Sequence, residues 1–242
     1  MILKDISFST PLENILYDEV LLSLAEKDLS GEALRLWESS QLFVVLGRIC
    51  KPEDDLKLEA LKKDNIPVLR RSSGGGTVLQ GKGCLNYSLI LSKETNPVLH
   101  DLRESYQFIL GKVVLALKGL GVEADFYPIS DIALTQGEKK ISGNSQKRGR
   151  KFILHHGTIL HNFDLSQIER YLKIPKDIPA YRQGRSHSDF VANVSISVPL
   201  LKEELKKIFN IEKEQNSVTE QEKECLQSFM KMDKTTVDLS SF

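Results

Sequence analysis

The sequence predicts a mixed α+β fold, a sheet with helices packed around it, and three observations carry that expectation. Short apolar runs, such as residues 42–46 and 85–90, are closed by glycine or polar turns, as buried strands are. Other segments place apolar residues three and four positions apart, the mark of amphipathic helices. Strands and helices do not alternate strictly, which argues for an α+β or mixed sheet.

The elements follow in order. Thr10-Pro11-Leu12-Glu13 reads as a capping box with proline at the first helical position, and Leu12, Leu16, Val20 and Leu24 carry a helix to about Asp28. Residues 42–46 read as a buried strand ended by Gly47, and 52–64 as one helix with Leu56 and Leu61 turned inward. Residues 66–69 form a strand that runs into Arg70-Arg71. Two more strands, 77–79 and 85–90, flank the turn Gly81-Lys82-Gly83. The clearest helix carries Leu102, Tyr106, Ile109, Val113 and Leu117 and stops at Gly121. Residues 131–134 and 152–154 resume strand character, while 142–151 reads as a polar stretch separating Lys140 from the histidine pair. Val198, Leu201, Leu205 and Ile208 predict a helix. A polar linker, 211–216, then leads to a second capping box, Thr219 with Glu222, ahead of Leu226 and Phe229.

The chain has 242 residues, 40% of them apolar, enough for one self-sufficient domain with a short appendage. Its 33 basic and 33 acidic residues cancel, so net charge argues for neither nucleic acid nor membrane binding. The basic run 147–151 reads as a solvated loop more readily than as a binding patch. Cys50, Cys84 and Cys225 are far apart and form neither a disulfide framework nor a zinc site. With no signal-like apolar run and no membrane-length segment, the expected setting is cytosolic.

The chemistry concentrates in two places. Arg70-Arg71-Ser72-Ser73-Gly74-Gly75-Gly76 combines guanidinium charge with main-chain amides bare of side chains, a surface that a phosphate or carboxylate can approach closely. A glycine run alone is most often a tight turn. Two arginines ending a buried strand are costly to leave unpaired, and that shifts the reading toward an anionic ligand. Lys140-Ile141-Ser142-Gly143-Asn144 places an ammonium among small residues. Such a point charge can bridge a carboxylate and an α-phosphate while a mixed anhydride forms between them. His155-His156-Gly157-Thr158 follows, with no carboxylate spacing that would suggest metal ligation. Residues 76–82 fit most of a P-loop pattern. Gly83 stands where Ser or Thr would hold magnesium, however, and the segment leads into a strand rather than a helix, so that reading is rejected.

Taken together, the segment 70–76, Asn86-Tyr87, Asp131, residues 140–143 and His155 to Leu160 resemble the lipoate–protein ligase A family in order and spacing. Arg185-Ser186-His187-Ser188, with Val191 and Asn193, resembles that family's later loop near the ligand. The resemblance covers roughly residues 10–195. It implies the mixed sheet shared with biotin–protein ligases, a catalytic unit over 1–198 and a short helical extension over 199–242. It also implies a two-step reaction in which ATP and lipoate give lipoyl-AMP, and a lysine of an acceptor protein then displaces AMP. Carried over, Lys140 touches both substrates. Arg71 and the backbone of Gly76, Thr77, Val78 and Leu79 contact ATP. Arg70, Ser72, Gly74, Gly75, Asn86, Asp131, Ser142, Gly143, His156, Gly157 and Thr158 line the acyl-adenylate pocket. Magnesium is implied by the ATP chemistry and by no ligand motif.

The implied partners are lipoyl domains of 2-oxo-acid dehydrogenase complexes and the glycine-cleavage H protein, or a specialised lipoate-binding protein. Many members continue into a further C-terminal domain, so activation here is expected to draw on a separate accessory protein, or the chain transfers a lipoyl group that is already activated. Two rivals stay open. One is an octanoyltransferase acting from acyl carrier protein, although Asp125 stands where one branch has its cysteine. The other is a non-catalytic lipoate- or biotin-binding module. The sequence leaves acyl preference and the role of Cys84 open.

Overall fold

The computed structural model describes residues 1–241. Its strands are β1 (Ile2–Asp5), β2 (Ala33–Trp37), β3 (Phe43–Leu46), β4 (Val68–Arg70), β5 (Val78–Gln80), β6 (Cys84–Ser92), β7 (Ala124–Tyr127), β8 (Asp131–Leu134), β9 (Lys140–Arg148), β10 (Phe152–Leu160) and β11 (Lys213–Glu214). The helices are α1 (Pro11–Glu26), α2 (Pro52–Asp55), α3 (Leu58–Lys63), α4 (Leu102–Gly119), α5 (Ser166–Tyr171), α6 (His187–Phe190), α7 (Val198–Ile208) and α8 (Glu220–Lys231). A large mixed sheet runs β11-β1-β2-β6-β10-β9-β8-β7, parallel at its β11-β1-β2 end and antiparallel elsewhere. A second sheet, β4-β3-β5, is smaller.

The back of the large sheet carries Leu34, Leu36, Tyr87, Leu89 and Ile153, which pack under α4 and α7 through Ile109, Val113, Leu201 and Leu205. On the front, Ala33, Ile90 and Leu154 meet α1. Farther along the same face, Trp37 meets Phe43, Val45 and Leu69 of the small sheet. Helix α8 lies on α1 with Leu226 in their shared core, and a buried ion pair from Lys4 to Glu222, 2.6 Å long, ties it to β1. Glu222 also closes the capping box with Thr219 and accepts from the Tyr17 hydroxyl at 3.0 Å. The segment after 198 therefore packs on the body of the molecule, and β11 adds a strand to it.

Three expectations change. The helix read over 52–64 breaks into α2 and α3, because Leu56 is extended and bridges Leu172 while the Lys57 amide donates to Tyr171 O. The polar stretch 142–151 is mostly strand: β9 pairs with β10 from Ser142–Ile159 to Arg148–Ile153, and only the turn beyond is loop. The linker 211–216 contains β11, paired parallel with β1. The run 147–151 is tied down in place. Lys147 and Lys151 pair with Glu19 and Asp28, and Arg148 donates to Leu99 and His100 carbonyls. Among the described residues no helix is long and apolar enough to cross a membrane.

His155 lies mid-strand on the back face, fully buried between Tyr87 and Tyr106. Burial pushes its imidazole down from the ordinary 6.5 to about 3. The folded ring refuses a proton that the unfolded chain accepts, so this contribution to stability is complete above pH 6.5 and is lost toward about 3. The loss runs at up to about 1.4 kcal/mol per pH unit. His155→Phe removes the titration, so its melting temperature should fall less steeply over that window than wild type. Parallel slopes would contradict the assignment.

Candidate functional site

Pairing across the large sheet aligns two rows of residues on its front face. One row runs Lys4, Arg35, Ser88, His156, Ser145, each in register with the next. The other runs Trp37, Asn86, Thr158, Gly143, Asp131. Residues directly opposite one another share a face. Asn86, Asp131, Gly143, His156 and Thr158, singled out from sequence, therefore stand together. Thr158 donates to Asn86 Oδ1 at 2.6 Å and receives from Gln80 Nε2 at 2.7 Å.

Lys140 joins them through an irregularity. Asp131 pairs with Gly143 and Ile132 with Ser142, but Ala133 pairs with Lys140, so Ile141 is an extra residue on β9. Such a bulge re-aims the side chains around it. Ile141 goes into the back core, and Lys140 and Gly143 both serve the front. Lys140 Nζ lies 2.7 Å from Asp131 Oδ1, and the other Asp131 oxygen accepts from the Tyr181 hydroxyl at 2.8 Å. A Cβ on Gly143 would stand 3.1 Å from Lys140 Cε, so glycine lets the lysine lie flat across its strand. Val191 bridges Lys140, and the Ala192 amide donates to its carbonyl at 2.9 Å, which brings the 181–193 loop against the site.

The glycine loop sits over the neighbouring row. Ser145 Oγ donates to Gly74 O at 2.8 Å, and Ser73 Oγ lies 2.6 Å from His156 Nε2. Gly75 takes a φ of 78°, which glycine tolerates without strain. Gly74 and Gly76 have nothing within 4 Å of where a Cβ would be, so the loop presents open backbone. Beyond it, Val78 and Leu79 lie in β5, an edge of the small sheet, and Thr77 donates to Asp55. Ser72 donates to Glu19 of α1, which also holds Lys147.

The two arginines do not reach into open space. Arg70 donates to the carbonyls of Gly47, Arg48 and Cys50 at 2.7 to 3.2 Å. Arg71 is buried beneath the loop and donates to Ser73 Oγ and to the Gly74 and Gly76 carbonyls at 3.0, 2.6 and 2.8 Å. Burial pushes its guanidinium down to about 10, which still leaves it charged at neutral pH. Arg185 likewise donates to the Gly137, Glu138 and Tyr181 carbonyls. Among the described residues none of these three meets a carboxylate within ion-pair distance. Each guanidinium is therefore held by carbonyl dipoles rather than by a carboxylate.

Two residues singled out from sequence point the other way. Ser142 is buried on the back, receiving from Asn144 Nδ2 at 3.2 Å. A Cβ on Gly157 would fall 1.8 Å from Asn144 Oδ1 and 2.7 Å from the Tyr87 hydroxyl, also behind the sheet. Strand alternation separates them from Gly143, His156 and Thr158, their sequence neighbours. Conversely, Asp18, Glu19, Arg35, Ser145 and Tyr181 meet the site without having been singled out. A charge in the middle of an alternating run, Leu34-Arg35-Leu36, was the available signal for Arg35.

The sequence profile described as "Lipoyl protein ligase A/B catalytic domain" matches residues 10–221. The chain belongs to that family. It is 30% identical over 164 residues to "Lipoate-protein ligase A" of Psychrobacter cryohalolentis, covering 68% of this chain and 44% of that protein. It is 29% identical over 205 residues to "Lipoate--protein ligase 1" of Staphylococcus aureus, covering 84% and 59%. The chain thus spans about half the length of the curated relatives it matches. Among solved structures, a lipoate-protein ligase A bound with ATP superposes with a TM-score of 0.80 at 24% identity, covering 95% of this chain and 93% of that one. A bi-partite lipoate protein ligase from Thermoplasma acidophilum, described with its E2 lipoyl domain, gives 0.79 at 24% identity, covering 95% and 91%. These likenesses establish the fold, the mixed sheet expected of a lipoate ligase.

Gly47 is the tightest point of the loop's support. A Cβ there would fall 1.9 Å from Gly75 O, a backbone atom that cannot step aside alone. Gly47→Ala should cost about 1–3 kcal/mol in chemical denaturation, the range for overpacking a closed site. A variant as stable as wild type would mean the two loops are not in contact.

Proposed function

We propose that this chain is the catalytic unit of a lipoate–protein ligase, activating lipoate with ATP and passing the lipoyl group to a lysine of an acceptor protein. The observation that carries the proposal is the shared front face: Lys140, lying over Gly143, and the glycine loop, held by Ser145, rest on residues two apart in one strand. The residues assigned to the site all precede 198. The segment 199–241 is read as an extension that packs against this unit.

A carboxylate oxygen of lipoate attacks the α-phosphorus of ATP, and pyrophosphate departs with the electrons of the broken P–O bond. Lys140 is the residue to oppose the charge that grows on the phosphate and carboxylate oxygens. Its ammonium is part-exposed and rests on one carboxylate, Asp131, so an anionic ligand can draw it away. The backbone of Gly74, Gly75 and Gly76 offers amides to the phosphate without side chains in the way. In the second step an uncharged acceptor amine attacks the acyl carbonyl and AMP leaves, stabilised by the same groups. The acceptors we propose are lipoyl domains, with the glycine-cleavage H protein or a specialised lipoate-binding protein as further members of that class. A separate accessory protein for activation is proposed by analogy with the bi-partite ligase whose fold this chain shares, and a cytosolic setting is part of the same proposal. Among the described residues no group of three His, Cys, Asp or Glu side chains stands together, and magnesium is proposed to enter with the nucleotide phosphates. Any magnesium belongs to the nucleotide, and no step above depends on it.

The thiols do not favour a thioester route. Cys84 is buried with its thiol pushed up to about 12 by desolvation, and burial also raises Cys50. Asp125 lies on β7 as an exposed carboxylate.

The test is ATP–pyrophosphate exchange, run with lipoate, octanoate and biotin, with and without accessory protein. Exchange that depends on lipoate supports the reading. ATP-independent acyl transfer blocked by cysteine alkylation would replace it with the octanoyltransferase. Lys140→Ala should lower exchange at least about 10²-fold with little change in melting temperature. Near-normal turnover would remove the lysine from its role.

A further inference from the structure

Behind the glycine loop runs a continuous polar chain that reaches the core of the large sheet. At its root, Arg35 has no exposure, and each of its three side-chain nitrogens donates. Nε donates to Ile6 O at 3.1 Å, and one terminal nitrogen donates to Asn14 O and Asp18 Oδ1, both at 2.7 Å. The other terminal nitrogen donates to Asn14 Oδ1 at 2.8 Å. The second Asp18 oxygen receives the Ser88 hydroxyl at 2.6 Å and faces His156 Nδ1 at 3.7 Å. The far side of that imidazole meets Ser73, and Ser73 meets Arg71, which grips the Gly74 and Gly76 carbonyls.

Donor and acceptor roles along this chain can be assigned. A guanidinium only donates, so Ser73 Oγ accepts from Arg71 Nε. The Ser73 hydroxyl hydrogen then needs an acceptor, and among the described residues His156 Nε2 is the one within reach. That nitrogen must therefore carry a lone pair, which puts the ring proton on Nδ1, toward Asp18. At the other end, the Asp18 carboxylate 3.7 Å from Nδ1 favours the same tautomer electrostatically. Burial works against the Asp18 carboxylate, but Arg35, with His156 and Ser88, outweighs it and holds the group below the usual carboxylate range.

We propose that Asp18, clamped by Arg35, is a positioning residue. It fixes His156 as the Nδ1–H tautomer, so that Ser73 and Arg71 hold the glycine loop in its anion-accepting shape. The tautomer part is independent of the reaction assigned above, and only the nucleotide readout rests on that reading.

The experiment records long-range proton–nitrogen NMR spectra of the full chain near neutral pH, with His156 assigned by difference from His156→Gln. The expected result is a protonated Nδ1 and a bare Nε2. A protonated Nε2 overturns the proposal whatever the enzyme does. Asp18→Asn should change the His156 tautomer ratio, and an unchanged ratio in a folded variant contradicts the role of Asp18. Because that variant strips Arg35 of its counter-charge and can unfold, Ser73→Ala is the second arm, leaving the root intact. It should keep the fold and weaken binding of a non-hydrolysable ATP analogue about tenfold, the size of one lost charge-assisted hydrogen bond. Unchanged affinity would show that the loop does not rely on the chain. If wild type binds no nucleotide, the ligase reading fails, and the NMR arms alone still decide the position of the ring.

Discussion

A guanidinium with no access to solvent joins the first helix to the second strand, and the functional face is built outward from it. Arg35 could not remain charged there without the Asp18 carboxylate, the carbonyls of Ile6 and Asn14, and the rings of Tyr17 and Trp37 at 4.9 Å. Breaking one half of such a buried pair typically costs about 3–5 kcal/mol, so α1 is held to the sheet in one register. That register sets Asp18 opposite His156 and Glu19 opposite Ser72, the two points at which the helix touches the glycine loop and its support. A buried pair of this kind is by itself weak evidence of stability. Apolar residues could join the same elements, but they would leave the polar chain without a root.

The other half of the site depends on one surplus residue. If Ile141 took an ordinary place in the strand, alternation would turn Lys140 and Gly143 to opposite faces. The bulge places one apolar side chain in the back core and returns the lysine to the front, against Asp131 and over Gly143, which is two residues from the serine that carries the glycine loop. A charge from one strand and open backbone from a loop in the other sheet thus come to share one surface.

Much of this was readable in the chain, and the reasons differ by element. The helix over 102–117 and the capping boxes at Thr10 and Thr219 were legible because their signals are local: spacing, a cap and a stopping glycine. The pairing of the glycine segment with Lys140 came from resemblance in order and spacing. Strands with polar residues inside them were not legible. Arg35 masks β2, and Ser142, Asn144, Ser145 and Gln146 made β9 look like loop. In each the polar side chains are satisfied by partners remote in sequence, which no local window contains. Which face a residue occupies was legible least of all. Ser142 and Gly157 differ from their functional neighbours by a single step along a strand, and the offset that decides the matter lies in the bulge. The arginines are the subtler case: their charge pointed to an anion, yet here it acts through the carbonyls that shape the loop.

In the proposed reaction one anhydride is held between Lys140 and the glycine backbone. A crystal structure of the chain with lipoyl-AMP, or with a non-hydrolysable analogue, tests it most directly. The phosphate is expected against the amides of residues 74–76, with Lys140 Nζ withdrawn from Asp131 to reach it. An adenylate bound elsewhere, or bound here with Lys140 still resting on Asp131, would contradict it.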